Sequence, residues 1–179
     1  MRVAICGYGA GNVRSVEIAF RRLGAEIVED VHGADLAVLP GVGSARAAMA
    51  GLRARGHDVA LRERFAAERP ILGICLGLQL ALEETEEDGG VPGLGLLPGR
   101  AVRLQEGRVP RMGWAEVGER GAFYFAHSYT AVTPCATAWS EGVVAEARAG
   151  SFLGCQFHPE KSGTLGARYL EEASSLSRV

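Results

Sequence analysis

In the first half of the chain, apolar residues fall into short unbroken runs, separated by stretches where they recur every three or four positions. Residues 3–6, 36–39 and 70–74 are such runs, with Ile27-Val28 a shorter one; each reads as a buried strand. Between them Val13, Val16, Phe20 and Leu23 keep helical spacing up to Gly24, a natural C-cap, and Met49, Leu52, Leu61 and Phe65 fall in two helical stretches broken at Gly56. Near-continuous apolar strands alternating with helices predict a mainly parallel central sheet covered by helices on both faces.

The pattern changes after an acidic run at 83–88. The Gly/Pro-rich stretch 89–99 reads as a loop, and most of the chain beyond residue 99 reads as strands separated by turns, clearest at 122–126, 143–147 and 152–157. A closing helix carries Leu165, Tyr169 and Ala173 along one face. The expected fold class is α/β, with a mixed, mainly parallel sheet flanked by helices and antiparallel strands in the C-terminal half. With no repeat, low-complexity tract or linker, residues 1–179 read as a single domain.

Composition narrows the function. A 47% hydrophobic and 22% charged chain with a net charge of −2 gives no electrostatic footprint for nucleic acid or an anionic membrane. Charges or glycines interrupt every apolar stretch well short of the ~20 residues of a membrane span. The N-terminus enters a strand without a secretory leader, so a cytoplasmic location is expected. Cys6, Cys75, Cys135 and Cys155 are scattered, with no Cys-x-x-Cys pair, and nothing in the sequence calls for a metal or cofactor.

One of these cysteines stands where a nucleophile would. Gly73-Ile74-Cys75-Leu76-Gly77 has the G-x-nucleophile-x-G form between a strand and the helical run 76–83. A sharp strand-to-helix turn crowds its neighbours, which the flanking glycines relieve, and the helix N-terminus favours thiolate over thiol. The other three cysteines lack the glycine pair and read as small packed side chains. Downstream, Gln156-Phe157-His158-Pro159-Glu160 ends an apolar strand, so His158 emerges at a strand end as a candidate base, with Pro159 shaping a turn that brings Glu160 back onto the imidazole. The same tripeptide also fits a surface turn. For a tetrahedral oxyanion, the N–H of Leu76 and the glycine-rich turn Pro40-Gly41-Val42-Gly43 are the available donors. His127 ranks second as base because no acidic residue follows it closely, while His32 and His57 read as solvated. Gly7-Tyr8-Gly9-Ala10-Gly11-Asn12 lacks the third glycine of a dinucleotide loop, and Asn12 reads as a helix N-cap.

Taken together, residues 73–79 and Phe157-His158-Pro159-Glu160 resemble the triad, class I glutamine amidotransferases, whose fold is flavodoxin-like. Residues 7–16, Pro40-Gly41-Val42-Gly43, Met112-Gly113-Trp114 and residues 123–129 are similar to the glutaminase subunits of imidazole glycerol phosphate synthase in particular. That resemblance implies Cys75, His158 and Glu160 as the catalytic triad. It implies glutamine recognition at Gln79, Ser128 and Tyr129, with the oxyanion donors at Gly41, Val42 and Leu76. It also implies a (β/α)8 cyclase partner that uses the ammonia in histidine biosynthesis, docked near Asn12, Trp114, Tyr124 and Lys161. Two positions depart from the expected pattern: Arg111 stands where His is expected and Ala115 where Asn is. Competing readings are a glutaminase serving another synthase, and a non-catalytic subunit of similar fold with a redox-sensitive thiol.

Overall fold

The computed structural model describes residues 1–9, 13–41 and 43–175. Its strands are β1 (Arg2–Ile5), β2 (Glu26–Val28), β3 (Leu36–Leu39), β4 (Ile71–Ile74), β5 (Glu84–Thr85), β6 (Val91–Pro92), β7 (Arg100–Arg103), β8 (Arg111–Glu116), β9 (Ala122–His127), β10 (Tyr129–Val132), β11 (Ala136–Ser140), β12 (Val143–Ala149) and β13 (Phe152–Cys155). The helices are α1 (Val13–Arg22), α2 (Ala45–Ala54), α3 (His57–Ala66), α4 (Leu76–Ala81) and α5 (Gly163–Ser175). A seven-stranded sheet runs in the order β11-β12-β13-β4-β3-β1-β2. Pairing from β13 through to β2 is parallel, while β12 is antiparallel to both its neighbours. This is the mixed sheet that the alternating pattern predicts.

Strand side chains alternate between two cores, as the twofold repeat of a strand requires. Val3, Leu36, Val38, Leu72, Ile74, Leu153 and Cys155 pack on one face with Val16 and Phe20 of α1 and Tyr169, Leu170 and Ala173 of α5. Ala4, Ala37, Leu39, Ile71 and Phe152 pack on the other face with Met49 and Leu52 of α2, Leu61 of α3, and Leu76, Leu78 and Leu80 of α4. A four-stranded sheet, β10-β7-β5-β6, borders this second core, and β8-β9 form a separate two-stranded hairpin. Among the described residues, no helix is long and apolar enough to cross a membrane.

Three expectations need correction. The loop expected at 89–99 contains β6, because Thr85 and Val91 pair across the acidic turn and bury both side chains. The strand expected at 152–157 ends at Cys155, two residues early, which frees Gln156 and Phe157 to bend. His57 opens α3 half-buried, with its Nδ1 shut away from solvent, and burial lowers its pKa. His32 is exposed as expected.

Candidate active site

The site is built where β4 and β13 lie side by side. They run parallel with Ile74 opposite Cys155, so the residues leaving their C-terminal ends emerge together. Cys75 N–H donates to the Cys155 carbonyl at 2.7 Å, and the chain then turns into α4. Cys75 itself has φ 50° and ψ −106°, a left-handed conformation that a side-chain-bearing residue holds only at a cost of about 1–3 kcal/mol. The turn also needs its glycines. A Cβ on Gly77 would lie 2.0 Å from the Leu39 carbonyl oxygen, and one on Gly41 would lie 1.7 Å from the Ile74 carbonyl oxygen.

Past β13, Phe157 is clamped among Phe123, Phe125 and Tyr169, with ring centroids 4.2 Å from Phe123 and 4.9 Å from Tyr169. Phe157 faces the core, and its neighbours in sequence, Gln156 and His158, turn toward Cys75. Gln156 Nε2 donates to Cys75 Sγ at 3.4 Å, and His158 lines the same cavity as the sulfur. The His158 N–H donates to the Tyr124 carbonyl at 2.8 Å, and Ser162 Oγ donates to the His158 carbonyl at 2.7 Å, so the backbone there is fixed on two sides.

Behind His158, Nδ1 meets Glu160 Oε1 at 2.8 Å, with both side chains only 3% exposed. Burial by itself would lower the His158 pKa. The hydrogen bonds to Cys75 and Glu160, with the charges they carry, outweigh it and push the imidazole up to about 9. The pair is arranged to keep a proton on His158 beside the sulfur.

These groups open onto a cavity of about 270 Å3 lined by Gly41, Gly43, Cys75, Leu76, Gln79, Glu87, Ser128, Tyr129, His158 and Lys161, among others. The cavity thus gathers most of the residues singled out in the sequence, and Glu160 stands behind it. Val42 and Asn12 lie outside the described residues. A larger cavity of about 600 Å3, beside β7 and the 104–108 loop, contains neither the thiol nor the imidazole and offers no nucleophile. Trp114 and Tyr124 face each other across the β8–β9 hairpin, edge to face at 6.1 Å, with Trp114 59% exposed. Lys161 Nζ sits 5.9 Å from the Tyr124 ring, so it joins this surface to the cavity it also lines.

Two residues at the site, Glu87 and Gln156, had no part assigned to them from sequence, and a third, His127, ranked only second as base. Glu87 is the one carboxylate lining the cavity among the described residues; its Oε2 accepts from the Ala45 N–H, and burial raises its pKa. In sequence it is one of several acids in a charged run, and nothing local separates it from its neighbours. Gln156 was legible only as the residue before Phe157-His158. His127, ranked second as base, holds its Nδ1 2.9 Å from the Tyr129 carbonyl oxygen. Burial drives its pKa down to about 4, against a hydrogen bond that favours the proton and with Arg111 and His158 opposing it. An imidazole with so low a pKa is a weak base, and it has no carboxylate partner like the one His158 holds in Glu160.

Residues 10–174 match the family model for glutamine amidotransferase class-I. The chain is 41% identical over 184 residues to the imidazole glycerol phosphate synthase subunit HisH of Exiguobacterium sibiricum, covering 95% of this chain and 93% of that protein. It is 38% identical to the HisH subunit of Methanothermobacter thermautotrophicus, covering 99% of this chain and all of the other. In fold it is similar to a crystal structure of a glutamine amidotransferase, with a TM-score of 0.77 at 24% identity over 99% of both chains.

Proposed function

The chain belongs to the class-I glutamine amidotransferase family, and we propose that it hydrolyses L-glutamine with Cys75, His158 and Glu160 and passes the ammonia to a cyclase subunit that makes imidazole glycerol phosphate. The observation that carries this reading is the thiol at a strained strand-to-helix turn, opening onto one cavity with an imidazole whose far nitrogen is held 2.8 Å from a buried carboxylate. The whole chain, residues 1–179, acts as one glutamine amidotransferase domain.

In the first half-reaction the Cys75 thiolate attacks the side-chain carbonyl carbon, and the carbonyl oxygen becomes an oxyanion. The N–H of Leu76, which opens α4 and so has no partner within the helix, faces that oxygen, with Gly41 packed beside it. His158 gives its proton to the leaving nitrogen, the C–N bond breaks, and ammonia leaves a thioester on Cys75. In the second half-reaction His158 takes a proton from water, hydroxide adds to the thioester, and glutamate departs as the thiol is restored. Glu160 keeps the imidazole in the tautomer that faces the sulfur and stabilises its charged form.

The cavity suits an amino acid in size and charge. Glu87 offers a counter-charge and the Gln79 amide oxygen an acceptor for the α-ammonium group, and the Ser128-Tyr129 backbone borders the part that receives the α-carboxylate. Ammonia in water is mostly protonated and loses its nucleophilicity, so a docked synthase is the physically sensible recipient. The exposed Trp114, with Tyr124 and Lys161 beside the cavity, is the face we assign to that partner.

Cys75→Ala should abolish glutamine-dependent formation of imidazole glycerol phosphate by the two-subunit complex. Synthesis from added ammonium salt should continue at the wild-type rate, because the cyclase is untouched. Glutamine-dependent product at more than about 1% of wild type in the variant would overturn the assignment, since loss of the nucleophile costs several orders of magnitude.

A further inference from the structure

Gln156 is fully buried, and its contact with the Cys75 sulfur raises the question of which end of its amide faces that sulfur. The two ends have nearly the same shape, so hydrogen-bonding partners decide the orientation. The Tyr129 carbonyl can only accept. Gln79 Nε2 donates one N–H to it at 2.8 Å and the other to Gln156 Oε1 at 3.0 Å. With its oxygen held by Gln79, Gln156 turns its amino group toward the sulfur. His127 Nδ1–H donates to the same Tyr129 carbonyl, so both lone pairs there are occupied. A chain of oriented donors therefore runs from the cavity wall at Tyr129, through two buried carboxamides, to the nucleophile.

We propose that Gln156 is a catalytic residue whose N–H stabilises Cys75 as a thiolate, and that Gln79 is the positioning residue that fixes its orientation. The inference rests on the reading of Cys75 as the nucleophile. A hydrogen bond to an anion is shorter and roughly twice as strong as one to a neutral acceptor, so this donor favours the thiolate over the thiol. An amide neither gains nor loses a proton at neutral pH, so proton transfer stays with His158 while Gln156 supplies a fixed dipole. Both N–H bonds of Gln79 are committed inside the protein, which leaves only its amide oxygen to a ligand. The Ser128-Tyr129 segment then does two things, bordering the substrate and setting the orientation of the donor at the sulfur.

The test is the rate of Cys75 alkylation by iodoacetamide against pH, read by peptide mass in the full-length chain, with thermal melting to establish folding. In Gln156→Met the midpoint should move toward alkaline pH by about one unit, and alkylation at pH 7 should slow about tenfold, the usual effect of one hydrogen bond to a charged group. Gln156→Glu should move it further, because a carboxylate then faces the sulfur. Gln79→Met should move it in the same direction by less, by freeing Gln156 to turn over. A role confined to packing would leave these midpoints in place, and folded Gln156 variants with the wild-type midpoint would overturn the proposal. If neither Gln156 variant folds, an unchanged midpoint in Gln79→Met overturns it. Glutamate release by the complex separates the two levels. A wild type that releases none sinks the glutaminase reading, whereas normal release with an unmoved Gln156 profile sinks the donor chain alone.

Discussion

His127 and His158 lie at one cavity, and burial lowers the pKa of both, yet the values move in opposite directions because only His158 has a thiol and a carboxylate to outweigh that burial. His127, down at about 4 from the usual 6.5, stays neutral when folded, while the unfolded chain takes up a proton below pH 6.5. Its contribution to stability is therefore complete above pH 6.5 and is lost as pH falls toward 4, a total on the order of 3 kcal/mol. His158, up at about 9, has the opposite sign: its contribution is complete below pH 6.5 and is lost as pH rises toward 9. Urea unfolding of His127→Gln between pH 7.5 and 4.5 should show a shallower loss of stability toward acid than the wild type, and equal slopes would contradict this account. The donor chain through Gln156 and Gln79 belongs to the same scale. Each of its links depends on which atom faces which, and a residue's identity alone does not say that.

At the scale of elements, the strand-to-helix turn from β4 to α4 is the most tightly determined part of the fold. The glycines two residues either side of Cys75 are needed for separate reasons: a Cβ on Gly73 would meet the Phe152 ring at 2.6 Å, and one on Gly77 would meet the Leu39 carbonyl oxygen at 2.0 Å. Gly77→Ala should therefore destabilise the protein by about 1–3 kcal/mol and slow alkylation of Cys75, because α4 must move away from β3 to admit the methyl group. Urea unfolding and iodoacetamide labelling measure the two effects. The turn was legible in sequence because its requirements are local, a strand, two glycines and a helix within a dozen residues. The short pairing of β5 with β6 was not, because two residues on each side carry no periodicity, and a Gly/Pro-rich stretch reads as loop.

The whole molecule presents an uneven surface. Among the described residues the β8–β9 hairpin pairs as a strand with neither larger sheet, though Arg111 of β8 donates to Ser140 of β11, and Met112 and Trp114 project from it 65% and 59% exposed. Two large apolar side chains left open two residues apart on one strand fit the docking face proposed above. Trp114→Ala should weaken association with the cyclase subunit by about 2 kcal/mol, roughly thirtyfold in Kd, while leaving the melting temperature of the free chain nearly unchanged. Titration calorimetry with the isolated subunits reads the first, and a thermal melt of this chain alone reads the second. Equal affinities would move the docking face elsewhere.

Periodicity, the glycine spacing around Cys75 and the His158-Pro159-Glu160 turn were determined by the sequence itself, since each is a matter of neighbours along the chain. They specified an α/β fold and the residue types of a thiol-dependent site. Only the tertiary structure decided that β13 lies beside β4 in the register that sets Ile74 opposite Cys155, which brings the imidazole to the thiol. It also decided that Glu87 lines the cavity and that Gln156 faces the sulfur. Those facts come from packing between segments far apart in the chain, where many residues choose one register together, and no local pattern records that choice.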